Sequence, residues 1–539
     1  MAEPAGPGPW IVERLAERGV ERVFGIPGVH TIPLYAGLAG SGIQHVAARH
    51  EQGAGFMADA WARVSGRPGV CFVITGPGLT NIATAMGQAY ADSIPMLVLS
   101  SVSDRRHLGR GLGHLHELRD QQALAAGVSA FSHTLQALAD LPAVLDDAFS
   151  VFTGSRPRPV HIEIPLDLWR EAPPASAPPP AARAALTQPA EPHLGEAARR
   201  LDAAARPVIL AGGGARRAAG PLAALAGQLD APTVMTVNGR GILGPDHLLS
   251  VPASPSLDAV RRLIADSDVV LAIGTEIGPT DYDMYERGMP ELGDTLIRLD
   301  IDPAQMTRPR AADVPLVGDA ASTLEALLAR LGSRSVARGG SERARRARDQ
   351  ARAELEAPML RAVEFLETVR DALPGAIIAG DSTHPVYAGN LYYAAPQPGT
   401  WFNSATGYGT LGYALPASLG AALAAPGRPV VCLAGDGGLH FTLGELASIR
   451  DQGQAVIVLV WNNEGYGEIK LAMEAAGATP VGVDLFTPDF AKLAAAYGFD
   501  LEAPVSLEVL AGVLASAAGR RRPTLVRLDE ARLLAGRNT

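Results

Sequence analysis

Short apolar runs alternate with segments of helical periodicity along almost the whole chain, and this constrains the fold more than any other feature. From Trp10 to about Arg170 the runs VERVFGIPG, GVCFVITGPG, MLVLS and PVHIEIP are separated by helical patterns that follow His50 and Thr80. Strands that are apolar on both faces need cover on both faces, so the pattern predicts parallel sheets wrapped by helices. The stretch Glu171 to Pro192, rich in proline and alanine, interrupts the alternation and reads as a linker. A second unit follows with PVILAGGG, APTVMTVNG, DVVLAIGTE and LIRLDID, and ends near Leu331; a third runs from about Val363 to Leu533 with AIIAGD, PVVCLAGDGG, AVIVLVWNN and TLVRLD. The expected architecture is α/β, with three doubly wound parallel-sheet domains over residues 1–172, 193–332 and 355–539. A length of 539 residues agrees, being more than one core usually organises. The third unit repeats the period of the first, so the two could be similar halves of one catalytic device.

Composition narrows the function classes. A formal net charge of −10 and a pI near 5.7 argue against a nucleic-acid partner, which needs clustered positive potential. The arginine-rich segment SERARRARDQARAELEAPM is interleaved with acids and reads as a surface helix in a connector rather than a phosphate-binding patch. Cys71 and Cys432 both sit in apolar runs, so no disulfide framework is expected. No apolar run of about 18 residues occurs, and MAEPAGPGPW lacks the basic-then-apolar order of a secretory leader. The expectation is a cytoplasmic protein that contacts no membrane.

The sharpest chemical signal is AGDGGLH followed, one helix and one strand later, by WNNEGYG; Asp436 and Asn463 are 27 residues apart. Gly-Asp-Gly at a strand end lets backbone approach a phosphate while the carboxylate offers a hard oxygen ligand. Asn463 and the Gly465 carbonyl could complete the protein's share of a divalent-cation site. Taken singly, each half also reads as an ordinary turn.

Jointly, GDG with an Asn pair at this spacing resembles the signature of thiamine diphosphate (ThDP) enzymes, the superfamily of acetolactate synthase, benzoylformate decarboxylase and pyruvate decarboxylase. The resemblance covers nearly the whole chain and implies ThDP and Mg²⁺ as cofactors, bound between a pyrimidine-binding first domain and a diphosphate-binding third one. It implies an activating glutamate, and ARHEQGAGFMADAWARVSG offers Glu51. In the family this group hydrogen-bonds the aminopyrimidine and promotes loss of the thiazolium C2 proton, giving the reactive ylide; such transfer favours a carboxyl shielded from water. GIPGVHT (with Pro27, Gly28 and His30) and TGPGLTN (with Thr75 and Asn81) resemble the loops around the pyrimidine. GYGTLGYALPASLGAAL resembles the segment that holds ThDP bent, with the Gly409 carbonyl facing the 4′-amino group and Leu411 wedged between the rings, although Leu411 also reads as a core leucine. Ser382, Thr383 and His384 of GDSTHP, together with Gly437 and Gly438, would clamp the diphosphate. Because Glu51 and Asp436 come from different subunits in the family, a homodimer or homotetramer is implied.

Broadly the chain is similar to acetolactate synthase large subunits, but it departs from them. Where those carry an LGMHG-like stretch and bind FAD, this chain has LLSVPASPSLDAV, so FAD is not expected; the glycines of LAGGGARRAAG are a weak dinucleotide signal and read as a vestige. Glu468, Ile469 and Ala472 replace the methionine, valine and tryptophan of the synthase pocket. Burying Glu468 unpaired would cost several kcal/mol or raise its pKa, which makes a cationic substrate group an attractive partner; alternatively Glu468 simply faces solvent on its helix. His114 and His116 in HLHE, with His30, could move the proton that a decarboxylase delivers to its enamine. These features look most like the 5-guanidino-2-oxopentanoate decarboxylases. The expected reaction is loss of CO₂ from that 2-oxo acid, protonation of the enamine and release of 4-guanidinobutanal; the alternative is acetolactate synthase-like carboligation of two 2-oxo acids, or of a 2-oxo acid and an aldehyde.

Overall fold

The computed structural model describes residues 6–182, 186–331 and 337–534. The bounds assigned above at residues 1, 332 and 539, and the middle of the Glu171–Pro192 linker, lie outside the described residues. Three six-stranded parallel sheets are present, flanked by helices. The first contains β1 (Arg22–Gly25), β2 (Gln44–Ala47), β3 (Gly69–Val73), β4 (Met96–Val102), β5 (Phe131–Thr134) and β6 (Val160–Pro165), in the order β2-β1-β3-β4-β6-β5. The second contains β7 (Pro207–Ala211), β8 (Thr233–Met235), β9 (Ser250–Val251), β10 (Val269–Ile273), β11 (Thr295–Asp300) and β12 (Val314–Val317), in the order β12-β11-β10-β7-β8-β9. The third contains β13 (Ile377–Gly380), β14 (Trp401–Asn403), β15 (Val430–Gly435), β16 (Ile457–Asn462), β17 (Asp500–Glu502) and β18 (Thr524–Asp529), in the order β14-β13-β15-β16-β18-β17.

Counted from their own first strands, the first and third sheets have one and the same order, which is the similarity their sequence period implied. The central sheet has instead the order of a dinucleotide-binding fold. Strands β3 and β4 are buried at every residue, as expected for strands covered on both faces. Cys71 and Cys432 lie buried as free thiols in β3 and β15.

The first and third domains share one hydrophobic core. The helix Glu51–Ser65 lies on the helix Ala414–Ala424, with Phe56, Met57 and Ala60 in one cluster with Leu415, Ala417 and Ala421. Close approach is possible because position 420 is glycine: a methyl group there would stand 2.1 Å from the Met57 carbonyl oxygen. At the far end of the Glu51–Ser65 helix the central domain joins in. Arg63, fully buried, pairs with Asp59 and Asp92 at 2.6 Å each and donates to Asn238 of the central domain at 3.1 Å, while Arg216 of that domain donates to the Arg63 carbonyl at 2.5 Å. Tyr413 of the third domain donates to Asp59 at 2.5 Å. One buried charge cluster therefore ties all three domains.

The arginine-rich segment forms the helix Gly340–Ala353, whose Ala344, Ala347 and Ala351 are buried in a cluster with Val260, Val270 and Leu296 of the central domain. Its Arg345 turns outward to Glu342 and Asp349. The helix is thus half embedded, with its charges paired along the outer face. Among the described residues no helix is long and apolar enough to cross a membrane.

Candidate active site

All the motifs named above follow the carboxyl ends of parallel strands, where strand-to-helix loops leave room for a ligand. GIPG follows β1, Glu51 opens the helix after β2, and TGPG follows β3. In the third domain GDSTHP follows β13, the Gly407–Leu411 loop follows β14, GDGG follows β15 and NEGYG follows β16.

Glu51 is the first residue of its helix and is 8% exposed; His50 caps that helix by accepting the Gln52 amide at 3.1 Å. The Glu51 carboxylate accepts from the Asn81 side chain at 2.9 Å. Asn81 is held by the helix Pro77–Asp92, whose entry loop is fixed in turn: Gln121 accepts the Gly76 amide at 2.8 Å, and Thr75 donates through its hydroxyl to Ser101 at 3.1 Å. Gly76 has φ +64°, and a methyl group on it would stand 2.3 Å from the His116 carbonyl oxygen. The HLHE loop therefore rests on TGPG. His116 itself adopts φ +64°, an uncommon state for a residue with a side chain. His30 completes the cluster, with Nδ1 3.0 Å from the Thr75 hydroxyl and its ring 5.4 Å from that of His116. Burial, with the His116 charge second, lowers the His30 pKa, so its neutral form is favoured. Gly28 and Thr31 close the GIPG turn at 3.1 Å. His114 is placed elsewhere, stacked on His107 at 4.3 Å.

In the third domain, Asp436 opens a helical turn straight after β15 and is 3% exposed. Its carboxylate accepts the Asn463 amide at 3.4 Å and faces the amides of Gly437 and Gly465. Of the asparagine pair, Asn462 is committed to Asp529 at 3.1 Å, leaving Asn463 beside Asp436. Gly465 is a required glycine, because a methyl group on it would stand 2.1 Å from the Val483 carbonyl oxygen. Gly437 packs beneath the Tyr466 ring, and Gly438 against the Asp381 carboxyl. Burial raises the Asp436 pKa against the pull of those amides, and a divalent cation would favour the ionised form. The residue types fit Mg²⁺: the Asp436 carboxylate, the Asn463 side-chain amide and the Gly465 carbonyl would supply oxygen ligands, with phosphate and water supplying the others. Among the described residues, no three of His, Cys, Asp and Glu converge into a denser metal cluster.

Asp381 was missed from the sequence, although it stands at the end of β13 inside GDSTHP. It is 1% exposed and accepts the amides of Ser382 and Gly412 at 2.8 Å each, so it ties the expected diphosphate loop to the loop carrying Gly409 and Leu411. Burial raises its pKa to about 6. Gly409 has φ +73°, and Leu411 is half-buried rather than packed into the core. Thr383 is buried facing Gly435, and Ser382 is half-buried beside it. His384 is engaged with Glu468, Nδ1 to Oε1 at 2.8 Å, and lies parallel to Trp461. Burial opposes its protonation, but Glu468 outweighs it and the His384 pKa is raised. Glu468 is therefore paired within the chain, with its side chain 32% exposed. Ile469 and Ala472 are exposed on the same helix, Gly467–Ala475, which has no buried residue.

Comparison with known proteins matches this division of labour. The family described as thiamine pyrophosphate enzyme matches in three parts: its N-terminal TPP binding domain over residues 8–124, its central domain over 194–327 and its C-terminal TPP binding domain over 381–528. The chain belongs to the thiamine pyrophosphate (ThDP) enzymes. A protein of Pseudomonas aeruginosa named as a probable 2-ketoarginine decarboxylase is 47% identical over 97% of this chain and 93% of its own length. An acetolactate synthase of Mycobacterium bovis is 32% identical over 90% of this chain and 82% of its own, and the large subunit of isozyme 3 from Escherichia coli is 31% identical over 90% and 88%. In this ThDP enzyme, Glu51 with the GIPG and TGPG loops falls in one TPP-binding match and Asp436 with Asn463 in the other. The central domain leaves a cavity of about 680 Å³ against the first, lined by Gly213, Gly214 and Gly274 at the point where its strand order reverses, with Arg156 and Glu276 paired in its wall at 2.5 Å.

Proposed function

We propose that this ThDP enzyme catalyses the Mg²⁺-dependent, non-oxidative decarboxylation of 5-guanidino-2-oxopentanoate, the 2-oxo acid of arginine, to 4-guanidinobutanal and CO₂. The observation that carries the substrate is Glu468: a half-buried carboxylate, three residues beyond Gly465, where acetolactate synthases present an apolar wall. The name of the Pseudomonas aeruginosa relative supports the same substrate. When bound, ThDP would supply a nucleophilic carbon and a sink for the electron pair that decarboxylation leaves. The chain's own residues do the rest. Asp436, Asn463 and the Gly465 carbonyl would hold the metal; Ser382, Thr383, Gly437 and Gly438 would orient the diphosphate, and Gly409 and Leu411 the two rings. Glu51, held by Asn81, moves the activating proton at the pyrimidine. His30 and His116, adjacent to one another, would deliver a proton to the carbon that loses CO₂; His114, stacked on His107, would need a loop movement to join them. The imidazolium of His384 would hold Glu468 in place until the substrate guanidinium competes for it.

An active homodimer or homotetramer is part of the proposal. Val29 and Ile32 beside His30, Leu115 beside His116, and Phe441, Ile469 and Phe486 in the third domain are all large apolar side chains left exposed on one chain, the kind of surface that a second copy covers. A cytoplasmic location and independence from FAD belong to the same reading: Val251, Ala253 and Val260, in the segment that departs from the FAD-binding synthases, are committed to a core.

The test is a panel of 2-oxo acids with cationic, neutral and anionic tails, supplied with ThDP and Mg²⁺ and read by mass spectrometry. The guanidino acid should be the preferred substrate and 4-guanidinobutanal the product. Preference for pyruvate with acetolactate as product would replace the proposal by carboligation. Glu468→Gln should lower kcat/KM for the guanidino acid roughly tenfold, the effect of about 1.4 kcal/mol, with little change for a neutral tail; equal losses on both would remove Glu468 from substrate recognition.

A further inference from the structure

The start of the helix that presents Glu51 is held from another domain. Glu445, on the helix Glu445–Asp451 of the third domain, is 1% exposed. Its Oε1 accepts the backbone amides of Arg49 at 3.0 Å and His50 at 3.1 Å, and its Oε2 accepts the Ser448 hydroxyl at 2.6 Å. Arg49 and His50 are the two residues immediately before Glu51, where a starting helix leaves amides without partners and favours a negative charge. The His50 side chain serves the amide inside the helix, and Glu445 serves the two outside it. Gly53 makes room for this contact: a methyl group there would stand 2.2 Å from Glu445 Oε1. Glycine inside a helix costs about 1 kcal/mol relative to alanine, so the chain gives up helix stability where the carboxylate approaches. Arg49 adds a second link to the same helix through Asp451 at 2.6 Å.

We propose that Glu445 is a positioning residue for Glu51, setting from the diphosphate-binding domain the place at which the Glu51 helix presents its carboxyl to the cofactor. The proposal rests on the ThDP reading given above. Glu445 touches neither substrate nor cofactor in this account. It acts through two backbone amides, so an uncharged acceptor of the same shape can replace it.

Three variants of the full-length protein, loaded with ThDP and Mg²⁺, test this: Glu445→Ala, Glu445→Gln and Gly53→Ala, the last displacing the carboxylate without removing it. The readouts are deuterium exchange at ThDP C2 by quenched NMR, ThDP affinity by calorimetry, and the kcat and KM values. Misplacement of a reacting group by about 1 Å costs about 100-fold. Glu445→Ala and Gly53→Ala should slow C2 exchange and kcat by about that factor at unchanged ThDP affinity and KM, and Glu445→Gln should recover most of the loss. A structural role alone would lower the melting temperature without slowing exchange in the folded protein. Wild-type exchange in Glu445→Ala, or in Gly53→Ala should the former not fold, overturns the proposal, as does a Glu445→Gln variant as slow as Glu445→Ala. Wild-type protein that takes up no ThDP would instead contradict the functional reading itself.

Discussion

Glu51→Gln is expected to lower turnover by about 10²–10⁴-fold, the usual contribution of a positioned proton-transfer group, while the protein still folds and binds ThDP. Gln has the shape of Glu and retains an oxygen that can accept from Asn81, so the packing of a position only 8% exposed is preserved. What it lacks is a proton to exchange with the pyrimidine. The measurement is kcat at saturating ThDP and Mg²⁺ beside a calorimetric ThDP titration of the same preparation. A variant within tenfold of wild type would remove Glu51 from the activating role.

The second large effect is on assembly. Arg63→Met keeps length and apolar bulk but leaves Asp59 and Asp92 without their cation in a site where the arginine and Asp59 side chains have no exposure. Breaking a buried ion pair from one side costs about 3–5 kcal/mol. Since about 1 kcal/mol moves the melting temperature of a mid-sized domain by about 2–4 °C, a fall of roughly 10 °C is expected. The same cluster reaches Asn238 and Arg216 of the central domain and Tyr413 of the third, so the unfolding should also split into more than one transition. Calorimetric scans of the two proteins would show this; an unchanged midpoint with a single transition would mean that the cluster does not couple the domains.

Much of the fold was legible because its signals are local. Strands such as β3, β10 and the start of β15 are apolar residue after residue, and runs of that kind alternating with helical segments point to a parallel sheet covered by helices. The pairing of Asp436 with Asn463 was equally legible, since the two lie one helix and one strand apart and the fold sets the Asn463 amide on the Asp436 carboxylate. What stayed hidden depends on partners far apart in sequence. Nothing in the sequence singles out Asp381 or Glu445: the partners that define them are the amide of Gly412 for Asp381, and the amides of Arg49 and His50 for Glu445. Gly53 reads as a weak point in a helix unless the carboxylate facing it is known. The arginine-rich segment suggested a connector because charge dominates its composition, whereas its alanine stripe settles where it packs. His114 and His116 are two residues apart in one loop, yet a left-handed turn at His116 sends one ring to His30 and leaves the other on His107. Glu468 invited a substrate cation, and the fold supplies His384 beside it.

The most direct measurement of the central claim, that a carboxyl of the first domain and a metal-bound phosphate cradle of the third serve one coenzyme, is calorimetric titration of ThDP into metal-stripped protein with and without Mg²⁺, for wild type and Asp436→Ala. Uptake that requires Mg²⁺ and is abolished by the substitution is the predicted result. ThDP binding that ignores both the metal and the loss of Asp436, or no binding at all, would contradict it.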